Sequence, residues 1–227
     1  GQRLMCLRVR LVAEWCKQNT RMPVIVKLTP YITDITQPAN AAKKGGADGV
    51  SLINTISSII GVDLDVMAPE PHTDGKGTHG GYCGPAVKPI ALNMVAQIAR
   101  DTETSDLPIS GIGGITTWKD AAEFLSLGAG NVQVCTAAMH YGFKIVDDMI
   151  DGLNNWMDEK GYKNIEDFRG MAIPNVTEFQ YLNLKYDVKA RINESTCINC
   201  GLCYISCEDG SHQAIKEIKQ KGGRRFE

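Results

Sequence analysis

Apolar positions along the chain alternate between short unbroken runs and spaced, helical repeats. Pro23–Leu28 (PVIVKL) is β-branched and nearly uninterrupted, as a parallel strand buried on both faces requires. Gly49–Ile53, Pro108–Ile112 and Asn131–Cys135 read as three further strands. Helical spacing fills the intervals. Arg8–Gln18 puts Val9, Val12, Ala13 and Cys16 on one face, and Asp34–Gly45 ends at a glycine pair. Pro89–Arg100 opens with the proline that suits a first helical turn. A helix capped by Thr116 or Thr117 carries Ala121, Ala122, Phe124 and Leu125 on its apolar side and stops at Gly128. Thr136 opens a short helical turn, and Lys144–Lys160 is amphipathic. Residues 54–88 hold six glycines and too little periodicity for an element, so a long functional or disordered loop is expected there.

This alternation predicts an α/β fold with about four strand–helix units and a parallel sheet. Two consecutive strand ends, ISGIGGI and QVCTA, bring small residues and free backbone N–H groups together, as an anion site needs. The glycine spacing is not the GxGxxG dinucleotide fingerprint. In (β/α)₈ TIM barrels a phosphate commonly sits on the loops after strands seven and eight, and a closed barrel takes eight strands and about 250 residues. The expectation is therefore the C-terminal half of a (β/α)₈ barrel over residues 1–170, the other half lying upstream. Such a half would leave a sheet edge and an apolar interior uncovered. A connecting arm spans 171–191, and a partial ferredoxin-like iron–sulfur domain spans 192–227.

Composition changes little: 43% hydrophobic, 22% charged and a net charge of −2 describe an ordinary globular chain with no nucleic-acid surface. The basic tail Lys216–Arg225 reads as solvated. No apolar run reaches the roughly 18 residues of a membrane span, and Arg8 and Arg10 break Leu4–Val12, against a signal peptide. The cysteines change more. Cys197, Cys200, Cys203 and Cys207 have the C-x₂-C-x₂-C-x₃-C spacing of ferredoxins, which wraps a 4Fe–4S cluster, whereas structural zinc prefers separated pairs. Such thiols imply a reducing compartment, taken as the cytoplasm. Glu208 stands where Pro is usual, and no second four-cysteine run follows, so three ligands lack a fourth and Cys207 lacks its own cluster. The segment is expected to be cut at both ends. Cys6 and Cys16 read as helix packing residues, Cys83 lies in the long loop, and Cys135 is a small strand residue. His72, His79, His140 and His212 show no ligand spacing.

The stretches VKLTPYITDI, AAKKGGADGVSLINT, GGYCGPAVKPIAL, ISGIGGI, QVCTA and INESTCINCGLCYISC together resemble the dihydroorotate-dehydrogenase-like flavoproteins. Within them the match is to the pyrimidine-reducing subunits of NAD-dependent dihydropyrimidine dehydrogenases. The resemblance implies an oxidoreductase that reduces uracil or thymine to the 5,6-dihydro form. Electrons would come from NAD(P)H through an FAD-containing partner subunit or domain and 4Fe–4S clusters to FMN, in an oligomer. It places Lys27 beside the flavin ring, a position at a strand's C-terminal end that also suits a catalytic face. Asn54 and Thr55 would read the pyrimidine edge. Gly84, Gly113, Gly114, Cys135 and Thr136 would hold the FMN phosphate, and Cys197, Cys200, Cys203 and Cys207 would ligate clusters. The family's proton donor, a cysteine on a mobile loop, falls upstream of the matched region. No catalytic residue is therefore assigned, Cys83 is not promoted in its place, and the segment alone is expected to be inactive. The alternatives are a dihydroorotate-type dehydrogenase with a fused ferredoxin, or an electron-transfer module whose barrel is a docking platform.

Overall fold

The computed structural model describes residues 2–186, 191–220 and 223–226. Two compact units divide the chain, Gly1–Thr177 and Glu178–Glu227.

The first unit opens with α1 (Gln2–Asn19), β1 (Ile25–Lys27), α2 (Thr36–Lys44) and β2 (Gly49–Leu52). Two antiparallel ribbons follow: β3 (Ile56–Ser58) pairs with β6 (Gly80–Tyr82) around β4 (Gly61–Asp63) paired with β5 (Ala68–Glu70). Then come α3 (Lys88–Arg100), β7 (Ile109–Ile112), α4 (Trp118–Ser126), β8 (Asn131–Gln133), α5 (Thr136–Tyr141) and α6 (Ile145–Lys160). The main sheet runs β1-β2-β7-β8 and is parallel throughout, half the strands of a (β/α)₈ barrel.

Register explains which side of the sheet is core. Val26, Val50 and Ile109 align across the strands, as do Leu28, Leu52, Gly111 and Val132 one row on, and these rows face the helices. They pack with Ala39 and Ala42 of α2, Ala91, Val95 and Ile98 of α3, and the fully buried Phe124 of α4. Gly111 is required by this packing: a Cβ there would lie 2.6 Å from Phe124 Cδ1. The alternate positions form the opposite face, where Lys27, Ser51, Ser110 and Asn131 stand in one row. That row is polar, whereas the next row of the same face carries Ile53 and Ile112 beside Gln133, so the expected apolar interior is apolar only in part.

Further expectations change for identifiable reasons. Only β2 is buried along its whole length; β1 is an edge in this sheet, with Ile25 56% exposed and Lys27 exposed. The segment 54–88 is not featureless but holds both ribbons, whose three-residue strands are too short to show a period. In α1, Val9 and Ala13 face the core, while Val12 and Cys16 are exposed. The cause is close contact with α2, where a Cβ on Gly45 would lie 2.5 Å from the Arg10 carbonyl oxygen and 2.7 Å from Ala13 Cβ. Between the two candidate caps, Thr117 is the N-cap of α4, in a capping box with Asp120.

The first unit also keeps part of the expected arm, residues 171–177, where Ala172 N–H donates to the Ser126 carbonyl. Residues 187–190 of that arm lie outside the described residues. In the second unit α7 (Leu202–Asp209) precedes an antiparallel hairpin of β9 (Glu217–Gln220) and β10 (Gly223–Phe226). The backbone of the basic tail, apart from residues 221 and 222, which are not described, forms this hairpin. Phe226 is buried, its ring 5.9 Å from that of Tyr204. Among the described residues no helix is long and apolar enough to cross a membrane.

Candidate functional site

At the carboxyl ends of the parallel strands lies a cleft of about 230 Å³. Ligand sites of parallel α/β sheets sit at this end, where strand-to-helix loops converge. Lys27 ends β1, Asn54 and Thr55 follow β2, Gly113 and Gly114 follow β7, and Cys135 and Thr136 follow β8. Gly84 arrives from the end of the long loop. All eight residues expected to contact flavin or pyrimidine line this one cleft. Cys83, Gln133, Met139, His140 and Tyr141 line it as well, unassigned by the sequence reading. For Gln133 a signal existed, an amide between Val132 and Val134. For His140 and Tyr141 none did, because their place depends on where α5 points.

The glycines have different causes. Gly114 has φ +73°, and a Cβ there would lie 2.6 Å from the Gly84 carbonyl oxygen and 3.0 Å from Lys88 Cβ. The loop after β7 is thereby locked, backbone on backbone, against the turn that starts α3. Gly84 has φ +82°, but a Cβ there would meet only Thr136 Cγ2, at 4.0 Å, so its missing side chain keeps the cleft clear.

Asp120 braces the loop from behind. Its Oδ2 accepts from Thr116 N–H at 2.9 Å, Thr116 Oγ1 at 2.8 Å, Thr117 N–H at 2.8 Å and Thr117 Oγ1 at 3.0 Å. Its Oδ1 takes the Lys88 ammonium at 2.5 Å, which also reaches Glu123 at 2.8 Å. Burial pushes the Asp120 carboxyl up, but Lys88 and the Thr116 and Thr117 donors outweigh it and hold the carboxyl well below the usual range. Hydrogen bonds to Asp120 and Glu123 raise Lys88 against the opposing effect of burial. The Thr116 and Thr117 N–H groups are committed to Asp120. Those of Gly113 and Gly114 donate to nothing among the described residues. With the first N–H groups of α5 beside them, they fit a flavin phosphate. Thr136 Oγ1 donates to Cys83 Sγ at 3.2 Å.

The cysteine loop is different. Asn199 and Gly201 take left-handed φ values of 55° and 78°, curling the chain between Cys197 and Cys203. Cys203 and Cys207 stand one turn apart on α7. Cys197 is half-buried, Cys200 and Cys203 are exposed, and Cys207 is buried and accepts from Ala214 N–H at 3.2 Å. Among the described residues no three Cys, His, Asp or Glu side chains are gathered as a metal set. The soft sulfur donors and their spacing fit an iron–sulfur cluster; their present positions do not converge on one.

Residues 7–157 match the family model described as dihydroorotate dehydrogenase. The chain belongs to the dihydroorotate dehydrogenase family. Residues 190–225 match a second model, a 4Fe–4S dicluster domain. FMN and 4Fe–4S clusters are the cofactors these two matches carry. The chain is 46% identical over 209 residues to the NAD-dependent dihydropyrimidine dehydrogenase subunit PreA of Escherichia coli (strain K12), covering 91% of this chain and 51% of that protein. It is 39% identical over 193 residues to the chloroplastic dihydropyrimidine dehydrogenase (NADP(+)) of Arabidopsis thaliana, covering 84% and 44%. It is 44% identical over 162 residues to the dihydroorotate dehydrogenase B (NAD(+)) catalytic subunit of Pyrococcus horikoshii, covering 71% and 51%. The chain spans about half the length of the curated relatives it matches.

Proposed function

We propose that this chain contributes the flavin-phosphate end, the pyrimidine-reading edge and the cluster domain of a cytoplasmic dihydropyrimidine dehydrogenase. The enzyme reduces uracil or thymine to the 5,6-dihydro form, and an FAD-containing partner subunit passes it electrons from NAD(P)H. The observation that carries this reading is the convergence of Lys27, Asn54, Thr55, Gly84, Gly113, Gly114, Cys135 and Thr136 on one cleft. FMN supplies the two-electron reduction when bound, and 4Fe–4S clusters supply its electrons. Gly113 and Gly114 bind the phosphate through backbone N–H groups, joined by Cys135 and Thr136 at the start of α5. Gly84 leaves room for it. Lys27 holds a positive charge at the end of β1, where negative charge on a reduced ring is stabilised. Asn54 and Thr55 orient the pyrimidine, an amide and a hydroxyl matching alternating carbonyl and N–H groups. Cys197, Cys200, Cys203 and Cys207 are the thiolate ligands.

A dihydroorotate-type reading has one observation in its favour, the 44% identity to a dihydroorotate dehydrogenase B subunit. That 162-residue match is short enough for the first unit alone, whereas the 209-residue match to the dihydropyrimidine enzyme must run past Thr177 into the second. The pyrimidine reading therefore covers more of the chain. Anaerobic reduction of the native protein's flavin, followed by addition of uracil, thymine or orotate, decides between them. Reoxidation by uracil or thymine and not by orotate is expected; reoxidation by orotate alone replaces this proposal with the other.

A further inference from the structure

Barrel interiors are usually filled by branched apolar side chains, yet the row of the open sheet face next to this cleft is polar. Ser51 and Ser110, neighbours across β2 and β7, are only 4% and 6% exposed. A buried hydroxyl is costly unless hydrogen-bonded. One group satisfies both: Gln133 Nε2 donates to Ser51 Oγ and to Ser110 Oγ, each at 2.8 Å. Ser110 gives its single proton to Asn131 Oδ1, so towards Gln133 it can only accept. The amide is therefore held with its NH₂ against the serines and both of its protons used. Gln133 Oε1 accepts from nothing among the described residues, and Gln133 lines the cleft beside Ile53 and Ile112. The result is one oriented acceptor on an otherwise apolar row.

We infer that Gln133 is a specificity-determining residue whose Oε1 accepts from the imide N–H of a bound ring. That CO–NH–CO group is shared by the flavin and by uracil or thymine. The inference rests on the pyrimidine-reducing reading above and adds the residue that selects an unsubstituted imide. A fixed acceptor gains one hydrogen bond from an imide N–H and loses it to an N-methyl imide. Ser51 and Ser110 act through Gln133 as positioning residues.

The test uses the native protein in two arms. Flavin-stripped protein is titrated with FMN and with 3-methyl-FMN. FMN-loaded protein is titrated with uracil and with 3-methyluracil, read from the flavin's visible absorbance. In the arm whose ring meets Gln133, the parent is expected to prefer the unmethylated ligand about tenfold, one hydrogen bond's worth. In Gln133→Leu that preference is expected to fall to about one. The Ser51→Ala/Ser110→Ala double variant never touches the ligand and should lower the preference part-way; it also serves if Gln133→Leu does not fold. A general packing defect would weaken both members of each ligand pair alike and leave their ratio unchanged. No preference in either arm, or a preference that survives both variants, overturns the inference while leaving the functional reading intact. Failure of the parent to bind FMN at all sinks the reading, and the inference with it.

Discussion

The glycine loop after β7 and the cysteine loop before α7 are the two short stretches we propose as binding an inorganic group, yet the fold treats them differently. Residues 113–117 are held by protein alone: Gly114 against the Gly84 carbonyl, Thr116 and Thr117 on Asp120, and Asp120 on Lys88. Residues 197–203 show no comparable hydrogen-bond network among the described residues, and two of their three cysteines are exposed. The comparison teaches that a phosphate site made of backbone N–H groups can be built by packing before its ligand arrives. A thiolate site is organised by the metal itself, because metal binding and folding share one free energy.

The largest effect should therefore follow removal of iron. Chelation of the native protein under reducing conditions is expected to abolish hydrogen-exchange protection in α7 and in the β9–β10 hairpin. Protection in α3 and β7 should persist, since their core is Val95, Ile98, Ile109 and Phe124. Protection of α7 that survives complete iron loss would break the comparison.

Next comes the glycine pair. Gly114→Ala must accept both a positive φ and a 2.6 Å approach to the Gly84 oxygen, and is expected to cost about 2 kcal/mol or more. Gly84→Ala has the same φ problem without the overlap, so about 1 kcal/mol is expected. Denaturant midpoints measure both. Equal costs would mean that Gly114 is not a packing contact.

These two glycines also mark what could be read beforehand. The parallel sheet was legible because β2 and β7 are central strands whose helix-facing rows are apolar, and the glycine loop that lines the cleft was legible because Gly113 and Gly114 follow a strand. The ribbons of 54–88 were not, since their pairing is between segments up to 26 residues apart and owes nothing to local periodicity. Nor was the role of Asp120 in bracing the loop: as a capping-box residue it is local, but its partner Lys88 is 32 residues away. The orientation of the Gln133 amide was hidden because the serines that fix it sit on two other strands, and only register brings them together.

Asp120→Asn removes the charge that joins Lys88 to the loop and is expected to cost about 1–2 kcal/mol. The effect should depend on pH in a defined direction. Asp120 in the folded chain titrates below its unfolded value of about 4. Its contribution is thus complete above about pH 4 and is lost as pH falls through the lower folded value. Lys88 titrates above its unfolded value of about 10.4, so its contribution is complete below that pH and lost as pH rises through the folded value. Parent and variant stabilities should differ at pH 7 and converge on acidification below pH 4. A difference that stays constant down to pH 2 would show that the carboxylate charge is not what braces the loop.

The smallest effect on folding is expected at Lys27, and there the comparison becomes sharpest. Lys27 is an exposed side chain at the end of an edge strand, with no hydrogen bond or ion pair of its own among those found in the described residues. Surface changes of this kind usually move stability by less than about 0.5 kcal/mol. Lys27→Ala should therefore leave the melting temperature nearly unchanged, unlike Asp120→Asn, whose carboxylate holds the cleft's loop in place. Activity should respond in the opposite order. A fixed cation at the site of developing negative charge is worth about a hundredfold or more in rate, so uracil-dependent reoxidation of reduced flavin should slow by that factor in Lys27→Ala. Rapid-mixing absorbance measures the rate, and calorimetry on the same preparation measures the stability. A variant that melts several degrees lower but reoxidises at the parent rate would make Lys27 a packing residue and remove it from the site.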